Sequence, residues 1–188
     1  QLHGLAHDIV RERPGLVGLS DDFTILDESA AQDVLRDAAL GWLRANPDVA
    51  LPFLAANLDE QKSTWVQQEK WPDLAVRIAS AFIKQAKDLQ LTPAELRYQL
   101  EGFPDSLPLL EMGTEVYADY QRALAYRGAV DFDDLIRLAL QGLRLDPAFL
   151  GRLRRQWPYV LEDEAQDSSR LQEAILEELV GEDGNWVR

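Results

Sequence analysis

Tyr159, Val160 and Leu161 pass directly into Glu162-Asp163-Glu164-Ala165-Gln166-Asp167, so an apolar run ends in four acids and a glutamine. The apolar residues have the β-branched and aromatic bias of a short buried strand with Pro158 at its start, and ligands of open α/β sheets bind just beyond the carboxyl ends of such strands. Neighbouring residues on a strand point to opposite faces, so Asp163 and Glu164 can divide two tasks between them. One carboxylate suits the hard-oxygen shell of Mg²⁺ and the other can take a proton from water, a pairing that serves nucleotide hydrolysis when phosphates supply further metal ligands. An Asp-Glu pair alone, in so acidic a chain, is more often a strand ending in a solvated turn. The rest of the chain has to decide between the two.

At 188 residues and 46% hydrophobic, the chain is long enough for a real core and fits one domain, or one domain with a large insertion. The absence of cysteine excludes a disulfide framework and thiolate metal sites and is compatible with a reducing cytoplasm; His3 and His7, the two histidines, exclude a histidine-rich metal site. No apolar run approaches the roughly 18 to 20 residues that span a bilayer, so a soluble cytoplasmic protein without membrane contact is expected. Nineteen basic against 33 acidic residues give a net charge of −14, which opposes nucleic-acid binding. A local basic stripe can still serve, because charges further away than about 10 Å are screened.

The elements that would position the acids follow from periodicity and capping. Residues 3–13 read as a helix with Leu5, Ile9 and Val10 on one face, stopped by Pro14-Gly15. Phe23 to Leu26 alternates as a strand, and Asp27 caps a long helix carrying Ala31, Val34, Leu35, Ala38, Leu40 and Leu43, which Asn46-Pro47-Asp48 breaks. A helix over 48–58 and a break at Trp71-Pro72 come next. From Pro72 to Leu89 the pattern turns Leu74, Ile78, Ala81, Phe82, Ala86 and Leu89 inward and Arg77, Ser80, Lys84 and Lys87 outward. Thr92-Pro93-Ala94-Glu95 is a capping box, and a helix over 109–127 carries Val116, Tyr117, Tyr120 and Leu124. Asp131 caps a helix to Leu143, with Asp134 at its third position, where a carboxylate suits the free amides. Helices over 147–156 and 167–180, the latter capped by Asp167, flank a strand over 158–163. Trp186 begins a further strand expected beside that one, which suggests a piece of something longer.

The string Asp163-Glu164-Ala165-Gln166-Asp167, preceded by Tyr-Val-Leu-Glu and followed by Gln172, resembles motif II of the UvrD/Rep-type superfamily 1A DNA helicases. Ile83-Lys84-Gln85-Ala86-Lys87-Asp88 leading to Leu91-Thr92-Pro93-Ala94-Glu95 is similar to a segment of that family's helical insertion. Tyr117 and Tyr120 with Asp131-Phe132-Asp133-Asp134-Leu135-Ile136 resemble its Y-x-x-Y and D-F-D-D-L-L strings, and Leu2-His3-Gly4-Leu5-Ala6 resembles the end of its first DNA-contacting motif. Four matches fall in the family's order. The chain departs from the family in having Gln1 where threonine is usual, and in containing no G-x-x-x-x-G-K-[ST] string.

The resemblance implies an α/β, mostly helical fold: residues 1–26 and 128–188 as part of a RecA-like P-loop NTPase layer, and 27–127 as an all-helical insertion. It also implies an ATP-dependent DNA helicase with ATP and Mg²⁺ as cofactors, single-stranded and duplex DNA as partners, and 3′-to-5′ translocation. In it Asp163 positions the metal, Glu164 is the catalytic base and binds the nucleotide, and Gln166 links the γ-phosphate region to the DNA-contacting segments, its other reading being a local helix cap. His3 would lie near single-stranded DNA or be a packing residue, and Lys84 with Lys87 would touch duplex phosphates or form a solvated face. A helicase-nuclease of the RecB/AddA kind and a non-enzymatic acidic interaction module are the alternatives. Without a phosphate-binding loop, these 188 residues alone are expected to be inactive as an ATPase.

Overall fold

The computed structural model describes residues 2–54, 59–162, 168–181 and 185–187. In order these form α1 (Leu2–Glu12), β1 (Thr24–Ile25), α2 (Glu28–Ala45), α3 (Glu60–Trp65), α4 (Trp71–Asp88), α5 (Pro93–Leu100), α6 (Pro108–Tyr126), β2 (Ala129–Val130), α7 (Phe132–Leu145), α8 (Pro147–Gln156), β3 (Tyr159–Leu161), α9 (Arg170–Val180) and β4 (Asn185–Val187). Short 3₁₀ turns at Pro14–Val17 and Pro47–Phe53 and a π turn at Val66–Lys70 lie between them. The chain is mostly helical, and its strands form two parallel pairs, β1 with β2 and β3 with β4. It divides into two compact units, one of residues 1–26, 87–90 and 128–188, the other of 27–86 and 91–127.

The first unit is built around α7. Leu135, Ile136, Leu138, Ala139, Leu140 and Leu143 are all buried, a span too wide for one amphipathic stripe, so the helix is covered on several sides. Its neighbours are α1, which contributes Ala6, Ile9 and Val10, α8 with Phe149 and Leu153, and α9 with Leu171, Ile175, Leu176 and Leu179. Local chemistry sets the helix starts. Asp131 accepts from the Asp134 amide at 2.8 Å and Asp146 from the Phe149 amide at 2.9 Å, each satisfying a donor that a first turn leaves open.

The second unit has helices and turns and no strand among its described residues. In it α6 packs against α2 and α5, burying Met112, Val116, Tyr117, Tyr120 and Leu124. Asp27 caps α2 through the Ala30 amide, and the Thr92–Glu95 capping box opens α5 as its sequence requires. Gly113 faces the Phe82 ring so closely that a Cβ there would stand 2.6 Å from Cγ, which leaves no room for a larger residue.

Several expectations are corrected. Residues 47–53 form 3₁₀ turns rather than the start of a helix over 48–58. The Trp71-Pro72 pair does not break the chain's helical course. The π turn before it lets the Trp71 amide reach back to the Val66 carbonyl, and the loosened ladder takes up a proline that lacks a donor. The buried face of α4 is Trp71, Ala75, Val76, Ala79, Ile83, Ala86 and Lys87, whereas Leu74, Ala81 and Leu89 are exposed. Tyr159 and Leu161 are 69% and 79% exposed, so β3 is a strand by composition without being buried among the described residues. Composition selects extended backbone, while burial needs a covering layer that composition does not reveal.

The outward place given to Lys87 is the largest correction. Its side chain is 1% exposed, and its Nζ donates to Asp131 Oδ2 at 2.5 Å and to Asp134 Oδ2 at 2.8 Å. Arg137 Nε stands 3.4 Å from the other Asp134 oxygen, so two cations face two carboxylates. A buried ammonium persists only when paired, and here the hydrophobic stem and the acids draw it inward together. Replacing Lys87 by Met keeps the stem but leaves the buried Asp134 and the part-buried Asp131 short of their cation. Urea unfolding followed by circular dichroism should then show a loss of about 3–5 kcal/mol; a change below about 1 kcal/mol would make the cluster dispensable.

Candidate functional site

β3 and β4 run parallel, with Tyr159, Val160 and Leu161 opposite Asn185, Trp186 and Val187. The ladder continues one step, because the Glu162 amide donates to the Val187 carbonyl at 2.9 Å. Glu162 then turns its carboxylate to two donors: the Ser168 hydroxyl at 2.6 Å on one oxygen and the Trp186 indole N–H at 3.2 Å on the other. Glu162 and Ser168, the described residues on either side of 163–167 in the sequence, are thus hydrogen-bonded to each other.

On the far side α9 begins with a reciprocal capping box. Ser169 Oγ accepts from the Gln172 amide at 3.3 Å, and Gln172 Oε1 accepts from the Ser169 amide at 3.2 Å. The N-cap is therefore Ser169, not Asp167; an S-x-x-Q string makes both bonds of the box, which an acid two residues earlier would not. A third amide of this helix start, that of Leu171, donates to Asp88 Oδ1 at 3.1 Å. Three contacts thus hold Glu162, Ser168 and the start of α9: the β3–β4 ladder, the Glu162–Ser168 hydrogen bond and the α9 capping box.

Asp163, Glu164 and Gln166 lie outside the described residues. His3 falls in the first turn of α1, its side chain likewise outside. Lys84 is exposed on α4 and free to meet a solvent-side ligand, whereas Lys87 is enclosed with Asp131 and Asp134, so the two do not form one cationic stripe. Sequence reasoning gave no role to Glu162, Ser169 or Asp88. The S-x-x-Q capping box was legible for Ser169; the pairing of Glu162 with Ser168 and of Asp88 with Leu171 had no sequence signal, being side-chain contacts across a loop and across 83 residues.

In the sequence Asp163 and Glu164 directly follow Glu162 at the end of β3, and carboxylate oxygens are of the hard type that suits Mg²⁺. Among the described residues no helix is long and apolar enough to cross a membrane.

The comparisons with known proteins establish the family of the chain. The family model for the UvrD/REP helicase N-terminal domain matches residues 1–187, and the chain belongs to that family. DNA helicase II of Escherichia coli (strain K12) is 31% identical over 182 residues, covering 97% of this chain and 21% of that protein. The ATP-dependent DNA helicase PcrA of Bacillus subtilis (strain 168) is 27% identical over 177 residues, covering 94% and 20%. The ATP-dependent DNA helicase UvrD1 of Mycobacterium tuberculosis (strain ATCC 25618 / H37Rv) is 41% identical over 81 residues, covering 43% and 10%. The chain therefore spans about a fifth or less of the length of these relatives.

The cap carries a measurable share of this arrangement. Ser169→Ala should lower stability by about 1 kcal/mol and Ser169→Asp should recover most of that, since aspartate accepts from the same amide. Equal losses in the two variants, measured by urea unfolding, would mean that the hydroxyl is not the cap.

Proposed function

We propose that this chain is a central portion of an ATP-dependent DNA helicase that moves 3′ to 5′ on single-stranded DNA and unwinds duplex ahead of it. In this reading the unit of residues 1–26, 87–90 and 128–188 is part of a RecA-like ATPase layer, and the helical unit of 27–86 and 91–127 is its insertion. The observation that supports the reading is the family model that spans residues 1–187, with the string 163–167 following the parallel strand β3 in the sequence.

The chemistry follows from the residue types. Asp163 would hold Mg²⁺, which supplies charge neutralisation on the β- and γ-phosphates of ATP when bound. Glu164 takes the proton of the water that attacks the γ-phosphorus, and a fixed carboxylate does this at lower entropic cost than a solvent base. Gln166, able to donate and accept at once, relays the state of the γ-phosphate region to the DNA-contacting segments. Because the chain contains no G-x-x-x-x-G-K-[ST] string, the amides and lysine that cradle the phosphates come from elsewhere in the longer polypeptide, and the 188 residues alone do not turn over ATP. His3 is assigned to the single strand and Lys84 to a duplex phosphate. Lys87 is withdrawn from DNA contact, because an ammonium enclosed by two carboxylates has no donor face to offer a phosphate.

Glu164→Gln in the longer protein removes the base and keeps the side-chain volume. MgATP binding measured by calorimetry should change by less than about twofold, while DNA-stimulated hydrolysis should fall by about 10²-fold or more. Turnover at the parental rate would deprive Glu164 of a base role.

Lys84→Ala should weaken duplex binding and reduce the slope of log affinity against log salt by about one, the value for a single phosphate contact. An unchanged slope would return Lys84 to the solvated face of α4.

A further inference from the structure

Most of α7 is covered, but Arg137, Gln141 and Arg144 share its remaining face at i, i+4 and i+7. Together with Leu145 and with Gln90, from the turn after α4, they line a pocket of about 280 Å³ within the first unit. No carboxylate is among its lining residues, although acids outnumber bases 33 to 19 in the chain. Gln90 takes its place there at a conformational cost. It has a φ of 57°, where glycine is the usual residue at a helix end, and its amide closes α4 on the Lys87 carbonyl at 2.9 Å. Glycine would close the turn equally well and bring no side chain to the pocket.

The two guanidiniums are held from behind. Arg144 Nε donates to Glu178 Oε1 at 2.8 Å and its Nη1 to Gln90 Oε1 at 3.4 Å, while Arg137 Nε stands 3.4 Å from Asp134 Oδ1. Asp134 is also engaged by Lys87 through its other oxygen, so its charge is shared between two cations. Each arginine is thus oriented through its Nε edge, and among the described residues neither Nη group of Arg137 has a partner. Pairing weakens an arginine as a ligand for an outside anion, but two oriented guanidiniums and the Gln141 amide lining one pocket offer together the several donors that a tetrahedral oxyanion accepts.

We propose that this pocket holds a backbone phosphate of a nucleic-acid strand, with Arg137, Arg144 and the Gln141 amide as its donors and Leu145, 56% exposed, against the adjoining sugar. A phosphodiester combines the charge that guanidiniums favour with an apolar sugar edge that an exposed leucine can cover, and inorganic phosphate lacks that edge. The inference rests on the proposed helicase reading for its nucleic-acid partner. It adds a contact on α7, a helix to which the sequence patterns gave none. The contact positions the strand and carries no preference for its bases.

The test measures binding of a single-stranded oligonucleotide by the longer protein as a function of salt. Arg137→Gln should weaken binding about fivefold and lower the slope of log affinity against log salt by about 0.7, the value for one phosphate on a single strand, with ATP hydrolysis in the absence of DNA unchanged. Glu178→Gln removes the carboxylate that competes for Arg144 and should tighten binding about threefold. A purely structural role for these ion pairs predicts a loss in both variants. Gln141→Glu touches no ion pair and is measured should Arg137→Gln fail to fold; a negative charge beside the phosphate should weaken binding about threefold. In the 188-residue chain, the side-chain Nε–H signals of Arg137 and Arg144 should shift and saturate when the oligonucleotide is titrated in an NMR experiment. Parental affinity and slope in the folded variant, weaker binding by Glu178→Gln, or Nε–H signals that move with inorganic phosphate and not with the oligonucleotide would each overturn the inference. The parental protein separates the two failures. If it binds no single-stranded DNA, the helicase reading falls; if it binds and the variants match it, the role of the pocket falls and that reading stands.

Discussion

The burial of the Lys87 ammonium between Asp131 and Asp134 is the constraint on which the first unit depends. Each of these charges alone would cost several kcal/mol to bury, and together they are tolerable only at hydrogen-bonding distance. That condition fixes the end of α4 against the start of α7. It also makes Asp131 serve twice, since one oxygen receives Lys87 while the other caps α7 through the Asp134 amide. Asp88 follows Lys87 directly, so a fixed Lys87 delivers a fixed acceptor to α9. The stretch of residues 87–90 belongs to the first unit although the residues on either side of it belong to the second, and this cluster is the physical reason.

Charge is arranged more economically than a net value of −14 suggests. Arg13 pairs with Asp146, Arg152 with Glu12, Arg144 with Glu178 in the first unit, and Arg97 with Glu115 and Arg36 with Asp73 in the second. Most of these pairs are exposed and contribute little stability singly. Their effect is on what the surface presents, because an arginine facing a carboxylate of its own unit is a poorer ligand for an outside phosphate. An exposed lysine such as Lys84 then matters more to a polyanion than the count of basic residues implies. The arginines at 13 and 152 also stand over the Phe149 ring, at 5.5 and 5.0 Å from its centroid, so they pack as well as pair.

Glu162 belongs to the same run of acids as Asp163 and Glu164, yet its oxygens accept from Ser168 and Trp186. One of these three adjacent acids is therefore structural.

The sequence by itself determined the features that are local. The caps at Asp27, Thr92 and Asp131 and the inward face Val116, Tyr117, Tyr120 and Leu124 were legible, because a cap needs only residues three positions apart and a helix face only a period of 3.6; that a strand near Trp186 lies beside the one near Tyr159 was legible too, its parallel sense was not. Family membership was legible too, since motif strings are read in order along the chain. Tertiary structure alone decided the buried face of α4, the exposure of Tyr159 and Leu161, and the partners of Lys87, Asp88 and Glu162. Periodicity treats a lysine as an outward residue, and only the arrival of two carboxylates from 44 and 47 positions away turns it inward. A charge's place depends on which opposite charges the fold brings to it, and that pairing is a property of three dimensions.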